Sequence, residues 1–170
     1  ATVTATLNGT ATFSGIFGAD SLTVAGSGVF SDKNAGTGKT VNVSGLTLGG
    51  ADAGNYVLAS TTSSGVADIA KASIGSVSNV GVNNKTYDAT VTATLNGTAT
   101  FSGIFGDDSL TVAGNGEFSD KNAGTGKTVN VSNITLGGAD AGNYVLASTT
   151  SSGVADIAKA TISSVSNVGV

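Results

Sequence analysis

Apolar and polar residues alternate along much of the chain, and this period of two predicts β-strands. In residues 2–7 the apolar side chains alternate with threonines, which is typical of a strand with one buried face. Asn8-Gly9 follows this segment and is a hairpin signal. Further strands are predicted at residues 110–112, 116–118, 129–131, 134–136, 144–146 and 154–157. No segment sustains a helical period, so the pattern predicts an all-β fold.

One strand pattern changes phase within the segment 129–136. The alternation of Val129 and Val131 slips by one residue at Ser132-Asn133 before it resumes at Ile134. A slip of one residue places two residues of one strand opposite a single residue of its neighbour, which is the arrangement of a β-bulge. The sequence therefore predicts a bulge at Ser132-Asn133.

The chain is an internal repeat with a period of 88 residues, because residues 1–82 align without a gap with residues 89–170 and differ at seven positions. This period exceeds the 20–50 residues of solenoid repeats and indicates one small domain per repeat. Where Val29 becomes Glu117, the side chain is expected to face solvent. Where Gly45 becomes Asn133, a backbone in the left-handed region is expected.

The repeat predicts a domain organisation with one complete copy. Residues 1–71 are expected to be a first repeat without its opening strand, residues 72–159 a complete second repeat, and residues 160–170 the opening strand of a third. Each repeat is expected to be a small Ig-like β-sandwich, and the repeats to form an elongated array. We also expect residues 160–170 to be able to complete the first repeat of another molecule by strand complementation.

Composition removes several classes of function from consideration. The 170 residues carry a net charge of −4 and include no Cys and no His. These absences exclude disulfides, thiol nucleophiles, a Ser-His-Asp triad and His-ligated metals. The chain also lacks arginine, which makes nucleic acid an unfavourable partner for an acidic protein. Because Cys, His and Arg are all missing, we do not expect an enzyme. No apolar run approaches the ~20 residues that span a bilayer, so membrane insertion is not expected either.

Acidic residues offer one weak candidate for metal binding. Asp107, Asp108 and Asp120 could supply carboxylate oxygens to Ca²⁺, a cation that takes six to eight oxygen ligands. The alternative is a set of turns with solvated carboxylates, and it is favoured because the first copy has Ala19 in place of Asp107. No other cofactor is expected.

Two further features have a structural and a functional interpretation. The glycine-rich segment 137–143 lacks the Lys-Ser/Thr ending of a phosphate-binding loop, so a turn between strands is expected. Tyr87 and Tyr144 could stack on sugars. The favoured alternative for Tyr144 is a core ring whose hydroxyl is bound to a backbone carbonyl.

Three sequence blocks resemble a known repeat family: Lys85-Thr-Tyr-Asp-Ala-Thr90, the segment 118–127 (FSDKNAGTGK), and the segment 136–144 (LGGADAGNY). The second and third recur at 30–39 and 48–56. They resemble the YDG-type repeat of filamentous-haemagglutinin-like and other very large secreted adhesins of Gram-negative bacteria. One departure is Ala89, which stands where the repeat carries its third namesake residue, glycine.

The resemblance implies a structural role outside the cell. Such repeats would form the stalk of a surface or secreted adhesin that projects a distal binding region for attachment or biofilm formation. Their partners would be neighbouring identical repeats, with host or abiotic surfaces bound by other parts of the parent protein. The alternative is a weak, multivalent module that binds glycans or surfaces directly and gains strength from copy number.

Overall fold

The chain folds into two compact units, residues 1–70 and residues 71–170. The structure is a computed structural model that describes residues 3–8 and 11–169. The predicted hairpin signal at Asn8-Gly9 and the outermost residues of the two repeats therefore extend outside the described residues. No helix in the described part of the chain is long and apolar enough to cross a membrane.

The first unit contains one antiparallel sheet with the strand order β1-β2-β3-β4. Between the last two strands lies a short 3-10 turn at Ala53–Asn55. The strands are β1 (Thr4–Ala5), β2 (Thr23–Phe30), β3 (Gly36–Gly49) and β4 (Ser63–Ile69).

The second unit contains the equivalents of these strands and several more. Its strands are β5 (Ala72–Ile74), β6 (Ser76–Ser78), β7 (Lys85–Thr86), β8 (Thr92–Ala93), β9 (Thr100–Ser102), β10 (Thr111–Phe118), β11 (Gly124–Gly137), β12 (Tyr144–Leu146) and β13 (Ser151–Ala158). A five-stranded sheet has the order β7-β13-β11-β10-β8, and two small sheets pair β5 with β12 and β6 with β9. The β5–β12 and β7–β13 pairs are parallel, and the others are antiparallel. The predicted all-β class is confirmed.

The predicted bulge is present in both units. In the pairing of β10 with β11, the register shifts between Ala113 and Asn115, which face Thr135 and Ser132. Two residues of β11, Asn133 and Ile134, therefore lie opposite the single residue Gly114. Asn133 has φ of 52°, and its counterpart Gly45 has φ of 63°. Both residues therefore occupy the left-handed region, as expected from the exchange of Gly for Asn. Glu117 and Val29 are both exposed, which confirms the expected solvent-facing position.

The second unit has a contiguous hydrophobic core that its opening segment completes. Residues 72–80 contribute Ile74, Val77 and Val80, whose exposed fractions are 0%, 8% and 2%. The Val80 carbonyl lies so close to Gly153 that a Cβ at that position would overlap it. The remaining buried members come from the five-stranded sheet and β12: Ala93, Val112, Phe118, Val129, Val131, Ile134, Tyr144, Ala155 and Ile157.

The first unit has nearly the same sequence but an open core. Val41 is its one buried apolar side chain among the described residues. Residues 12–14 and 56–58, the counterparts of β9 and β12, form no strand. Residues 1–70 contain no counterpart of residues 72–88, which supply β5, β6 and β7 to the second unit. The strands that pair with β9 and β12 in the second unit, β6 and β5, therefore have no equivalent in residues 1–70.

Residues 159–169 form no strand and are exposed. They include Ile162, Val165 and Val168, which are 78%, 76% and 72% exposed. These three side chains repeat the spacing of Ile74, Val77 and Val80. The same apolar pattern thus occurs once buried and once in solvent.

The structure also shows what Ala89 does to its turn. Ala89 has φ of 66°, in the left-handed region that glycine adopts without steric cost. For a residue with a Cβ, this conformation costs roughly 1–2 kcal/mol. The replacement of glycine by alanine at this motif position therefore leaves the turn intact but strained.

We expect Ala89→Gly to stabilise the second unit by roughly 0.5–1 kcal/mol, because relief of the left-handed strain outweighs the greater freedom of glycine in the unfolded chain. Calorimetric unfolding of the whole chain measures the change. Ala158→Gly is the matched control: it lies in extended backbone on an exposed face, so the same exchange should destabilise by about 0.5–1 kcal/mol. A loss of stability in both variants would contradict a strained turn.

Candidate functional site

The motif residues cluster in loops that join the strands, and the first of these loops is organised by a buried tyrosine. Tyr144 begins β12, and its ring is 4% exposed. Its hydroxyl accepts the Phe105 N–H at 3.0 Å and donates to the Asp108 carboxylate at 2.8 Å. We call these three residues the tyrosine clasp. Burial of the ring raises the pKa of Tyr144, and the Asp108 carboxylate acts in the same direction.

The tyrosine clasp agrees with the sequence prediction in its ring and differs in its hydroxyl. Tyr144 is a core residue, as expected, but its polar partners are a backbone N–H and a carboxylate and not the expected backbone carbonyl. The first unit repeats the arrangement, with the Tyr56 hydroxyl 3.1 Å from the Phe17 nitrogen and 2.7 Å from the Asp20 carboxylate.

The glycine-rich segment 137–143 is a turn, as expected, and it packs against the clasp. Asp140 accepts the Ser109 N–H at 2.8 Å, while residues 141–143 form a 3-10 turn. Gly138 has φ of 97°, and a Cβ there would lie 2.5 Å from the Ser109 carbonyl oxygen. Glycine is therefore required for this backbone to approach the neighbouring segment so closely.

The block at 118–127 folds into a turn fixed by Asp120. Its carboxylate accepts the Asn122 N–H at 2.8 Å, which forms an Asx turn, and it pairs with the Lys127 ammonium at 2.7 Å. Lys127 lowers the pKa of Asp120, and the Asn122 N–H acts in the same direction. The Gly126 N–H donates to Asp156 at 2.7 Å, so the turn is also bound to β13.

The block at 85–90 forms the third polar cluster. The Lys85 ammonium lies 2.8 Å from the Asp88 carboxylate and 2.9 Å from the Thr90 carbonyl. Asp88 also accepts the N–H and hydroxyl of Thr90 at 2.9 and 2.8 Å. Lys85, followed by the Thr90 donors, lowers the pKa of Asp88 to about 2. The same ammonium lies 5.5 Å from the centre of the Phe118 ring, within cation–π range.

The structure does not bring the three Ca²⁺ candidates together as a binding group. Asp108 bonds to Tyr144, Asp120 pairs with Lys127, and Asp107 is exposed in a turn. Among residues 3–8 and 11–169, no group of three or more acidic or other metal-ligating side chains could hold a metal ion. A cation at Asp120 would have to compete with the ammonium of Lys127.

The loops described above lie within segments that match a known protein family. The YDG domain family model matches residues 1–63 and 71–151. This chain belongs to the YDG domain family. The match spans both units and contains every motif loop described above. No curated protein and no solved structure matches the chain.

Sequence reasoning missed part of how the YDG motifs act. Asp140 and Asp156 were not singled out, although each closes a turn by accepting a backbone N–H from a segment about thirty residues away, Ser109 and Gly126. A signal was available, because both residues recur as Asp52 and Asp68 in the first copy. Those copies make the same bonds, to Ser21 and Gly38.

The polar groups of the YDG loops bond within their own unit. The clasp, the Asx turn and the Lys85 cluster each use their carboxylate to hold a backbone N–H, a hydroxyl or an ammonium of the same unit. In the described part of the chain, no buried polar side-chain atom lacks a hydrogen-bond partner. The loops thus act chemically as ties between strands.

We expect Tyr144→Phe to destabilise the second unit by about 1 kcal/mol, because the bonds of the Tyr144 hydroxyl to the Phe105 N–H and to the Asp108 carboxylate are lost. Calorimetry or denaturant unfolding measures the loss. Tyr87→Phe is the control, since the described residues offer its hydroxyl no hydrogen bond, and it should change stability little. If both variants behave alike, the clasp does not hold the loop.

We expect the second unit to lose stability as the pH falls from about 4 to about 2. The pKa of Asp88 is lowered from 3.8 to about 2, so the folded state binds fewer protons than the unfolded state across this window. The contribution is complete above the unfolded value and disappears as the pH falls through the folded value. Acid titration followed by circular dichroism measures the slope.

Asp88→Asn should flatten this acid slope, because it removes the group that titrates differently in the two states. Asp107→Asn, in an exposed turn, serves as the charge-matched control and should leave the slope unchanged. An unchanged slope in Asp88→Asn would show that other carboxylates, such as Asp120, account for the acid sensitivity.

Proposed function

We propose that the chain is a pair of structural repeats from the stalk of a large bacterial surface or secreted adhesin, which projects a distal binding region for attachment or biofilm formation. The observation that carries the proposal is that the YDG motif residues bond to other groups of their own unit. A binding motif repeated in each unit would be expected to present polar or aromatic groups to solvent. Here the repeated residues instead tie strands together.

The near-identity of the two copies supports the same role. One copy suffices for a ligand site, whereas a spacer gains length from each further copy. The substitutions between the copies also preserve the fold: Asn133 keeps the left-handed backbone of Gly45, and Glu117 keeps the exposed place of Val29. We therefore propose that the sequence is under a requirement to fold repeatedly.

The type of β-fold and the arrangement of the repeats are part of the same proposal. We propose that each complete unit is a small Ig-like β-sandwich and that such units follow one another in an elongated array. In support, the core of the second unit is shared by the five-stranded sheet and the small sheets that contain β5 and β6. The proposed location is outside the cell, where neighbouring identical repeats would be the immediate partners.

Small-angle scattering on one, two and four complete repeats, each cut to residues 72–159, tests the stalk. We expect the maximum dimension to rise linearly by roughly 35–45 Å per repeat, judged from strands that rise ~3.3 Å per residue. A dimension that reaches a plateau with copy number would contradict a spacer. Running the series with Ca²⁺ and with a chelator also tests the aspartate candidates, since a site would change the dimension.

Weak multivalent binding is the second candidate function, and one observation favours it. Phe105 is 55% exposed although its backbone belongs to the tyrosine clasp, and exposed aromatic rings are the usual platforms for sugars. Saturable glycan binding by one repeat, abolished by Phe105→Ser and strengthened by copy number, would establish this function. No binding at any copy number would leave the stalk as the sole role.

A further inference from the structure

Two strand pairs of the second unit are parallel, and both join the same two stretches of chain. β5 pairs with β12 over three residue pairs, and β7 pairs with β13 over two. β5 and β7 lie in residues 72–88, at the beginning of the unit, whereas β12 and β13 lie in residues 144–158, at its end. We call these two pairs the clamp, because they join the first strands of the unit to the last.

The parallel direction of the clamp determines how it responds to tension along the chain. Residues 71 and 160 are both part of this chain, so a pulling force reaches the unit from both sides. The force draws residues 72–88 toward lower numbers and residues 144–158 toward higher numbers. In a parallel pair these pulls are opposite along the strands, so the evenly spaced hydrogen bonds are sheared and share the load. In an antiparallel hairpin pulled at its open end, the bonds separate one after another.

Buried side chains keep β5 and β12 from sliding past each other. Ile74, at the end of β5, is fully buried, and its carbonyl accepts the Ala147 N–H at 3.0 Å, which extends the ladder. Tyr144, at the beginning of β12, is 4% exposed and is held by the tyrosine clasp. A shift of one strand along the other would withdraw one of these side chains from the core, which costs hydrophobic free energy.

Hydrogen bonds at both ends extend the short β7–β13 pair. The Tyr87 N–H donates to the Ala158 carbonyl at 2.8 Å. At the other end, the Asp156 N–H donates to the side-chain oxygen of Asn84 at 2.8 Å. The pair therefore resists shear over residues 84–87 and not only over the two residues of β7.

Side chains of the motif block 85–90 fix β7 to the core. The Lys85 ammonium, which is bound to Asp88 and Thr90, lies 5.5 Å from the centre of the Phe118 ring in β10. Tyr87 packs against the buried core. Sliding of β7 along β13 would move the ammonium off the ring and the tyrosine out of its packing. The block that matches the YDG motif thus supplies the clamp with side-chain anchors.

We propose that the clamp makes the second unit a load-bearing element, which withstands tension along the chain until both parallel pairs shear in one step. Residues 89–143, which form β8 to β11, lie between the two clamped stretches and bear no load until the clamp breaks. The use of this property in the organism rests on the proposed stalk. The property itself follows from strand order and is measured separately from the length of a repeat.

Single-molecule force spectroscopy on the full 170-residue chain tests the clamp. The chain has no cysteine, so Lys71→Cys combined with Lys159→Cys provides two unique handles at exposed positions. Pulling between these handles, the clamp handles, shears the parallel pairs. We expect the second unit to unfold in a single cooperative event.

The control handles pull the same unit in a different direction. Asp107→Cys combined with Ala139→Cys places them at exposed positions before β10 and after β11. These strands are antiparallel, with Thr111 opposite Gly137, so tension opens their bonds one after another from that end. At the same loading rate, we expect the clamp handles to require a several-fold higher force. An equal or lower force through the clamp handles overturns the proposal.

Two adjacent asparagines test which bonds bear the load. Asn84→Ala removes the oxygen that accepts the Asp156 N–H, whereas the Asn83 side chain makes no hydrogen bond within the described residues. Both side chains are exposed. Through the clamp handles at constant force, Asn84→Ala should unfold about fivefold faster, as expected for the loss of one hydrogen bond. Asn83→Ala should unfold at the unchanged rate, and an equal effect of the two variants overturns the assignment.

The control handles also separate load bearing from a general loss of stability. The bond from Asp156 to Asn84 lies outside their path of force, so Asn84→Ala should leave the rate of unfolding through them unchanged. An equal acceleration through both pairs of handles would show that this bond stabilises the unit without bearing load, which overturns the clamp. These outcomes are independent of the length added per repeat, by which the stalk is tested.

Discussion

The fold of a YDG unit depends on burial of its opening segment against the rest of the unit. Ile74, Val77 and Val80 contribute three apolar side chains to one core, and the backbone that carries them supplies the partners of β9 and β12. Burial of a Val or Ile side chain stabilises a fold by about 1.5–3 kcal/mol. Without the segment, a unit loses both this apolar area and the pairing of two edges.

The two units amount to an internal comparison of this effect. Ala155 is 5% exposed in the unit with the segment, while its counterpart Ala67 is exposed. Phe118 is buried, and Phe30 is half-buried. Because the compared residues are identical in sequence, the difference accompanies residues 72–88, which supply β5, β6 and β7 to the second unit and have no counterpart within residues 1–70.

The polar loops depend on different forces and behave differently. The tyrosine clasp, the bond from Ser109 to Asp140 and the bond from Gly126 to Asp156 all recur in the first unit. These ties join the central strands and their loops, so they form whether or not the core is closed. The second unit therefore combines these loop ties with a core to which its opening segment contributes.

The sequence by itself determined the local features of this protein. Period-two alternation identified the strands β10 to β13 but not the short β6, β7 and β9. The phase slip at Ser132-Asn133 identified the bulge, and the exchange of Gly45 for Asn133 identified a left-handed residue. Each of these rests on the stereochemistry of a few neighbouring residues, which is why a short stretch of sequence is sufficient.

Only the tertiary structure decided which distant groups meet. The Ser151 hydroxyl reaches the Val77 carbonyl 74 positions away, and Asp140 reaches Ser109 across 31. The tertiary structure also places Asp108 beside Tyr144 and Asp120 beside Lys127. The sequence positions of these aspartates do not reveal such partners. Such partners follow from strand order and register, which are fixed by the burial of the whole core and not by any one segment.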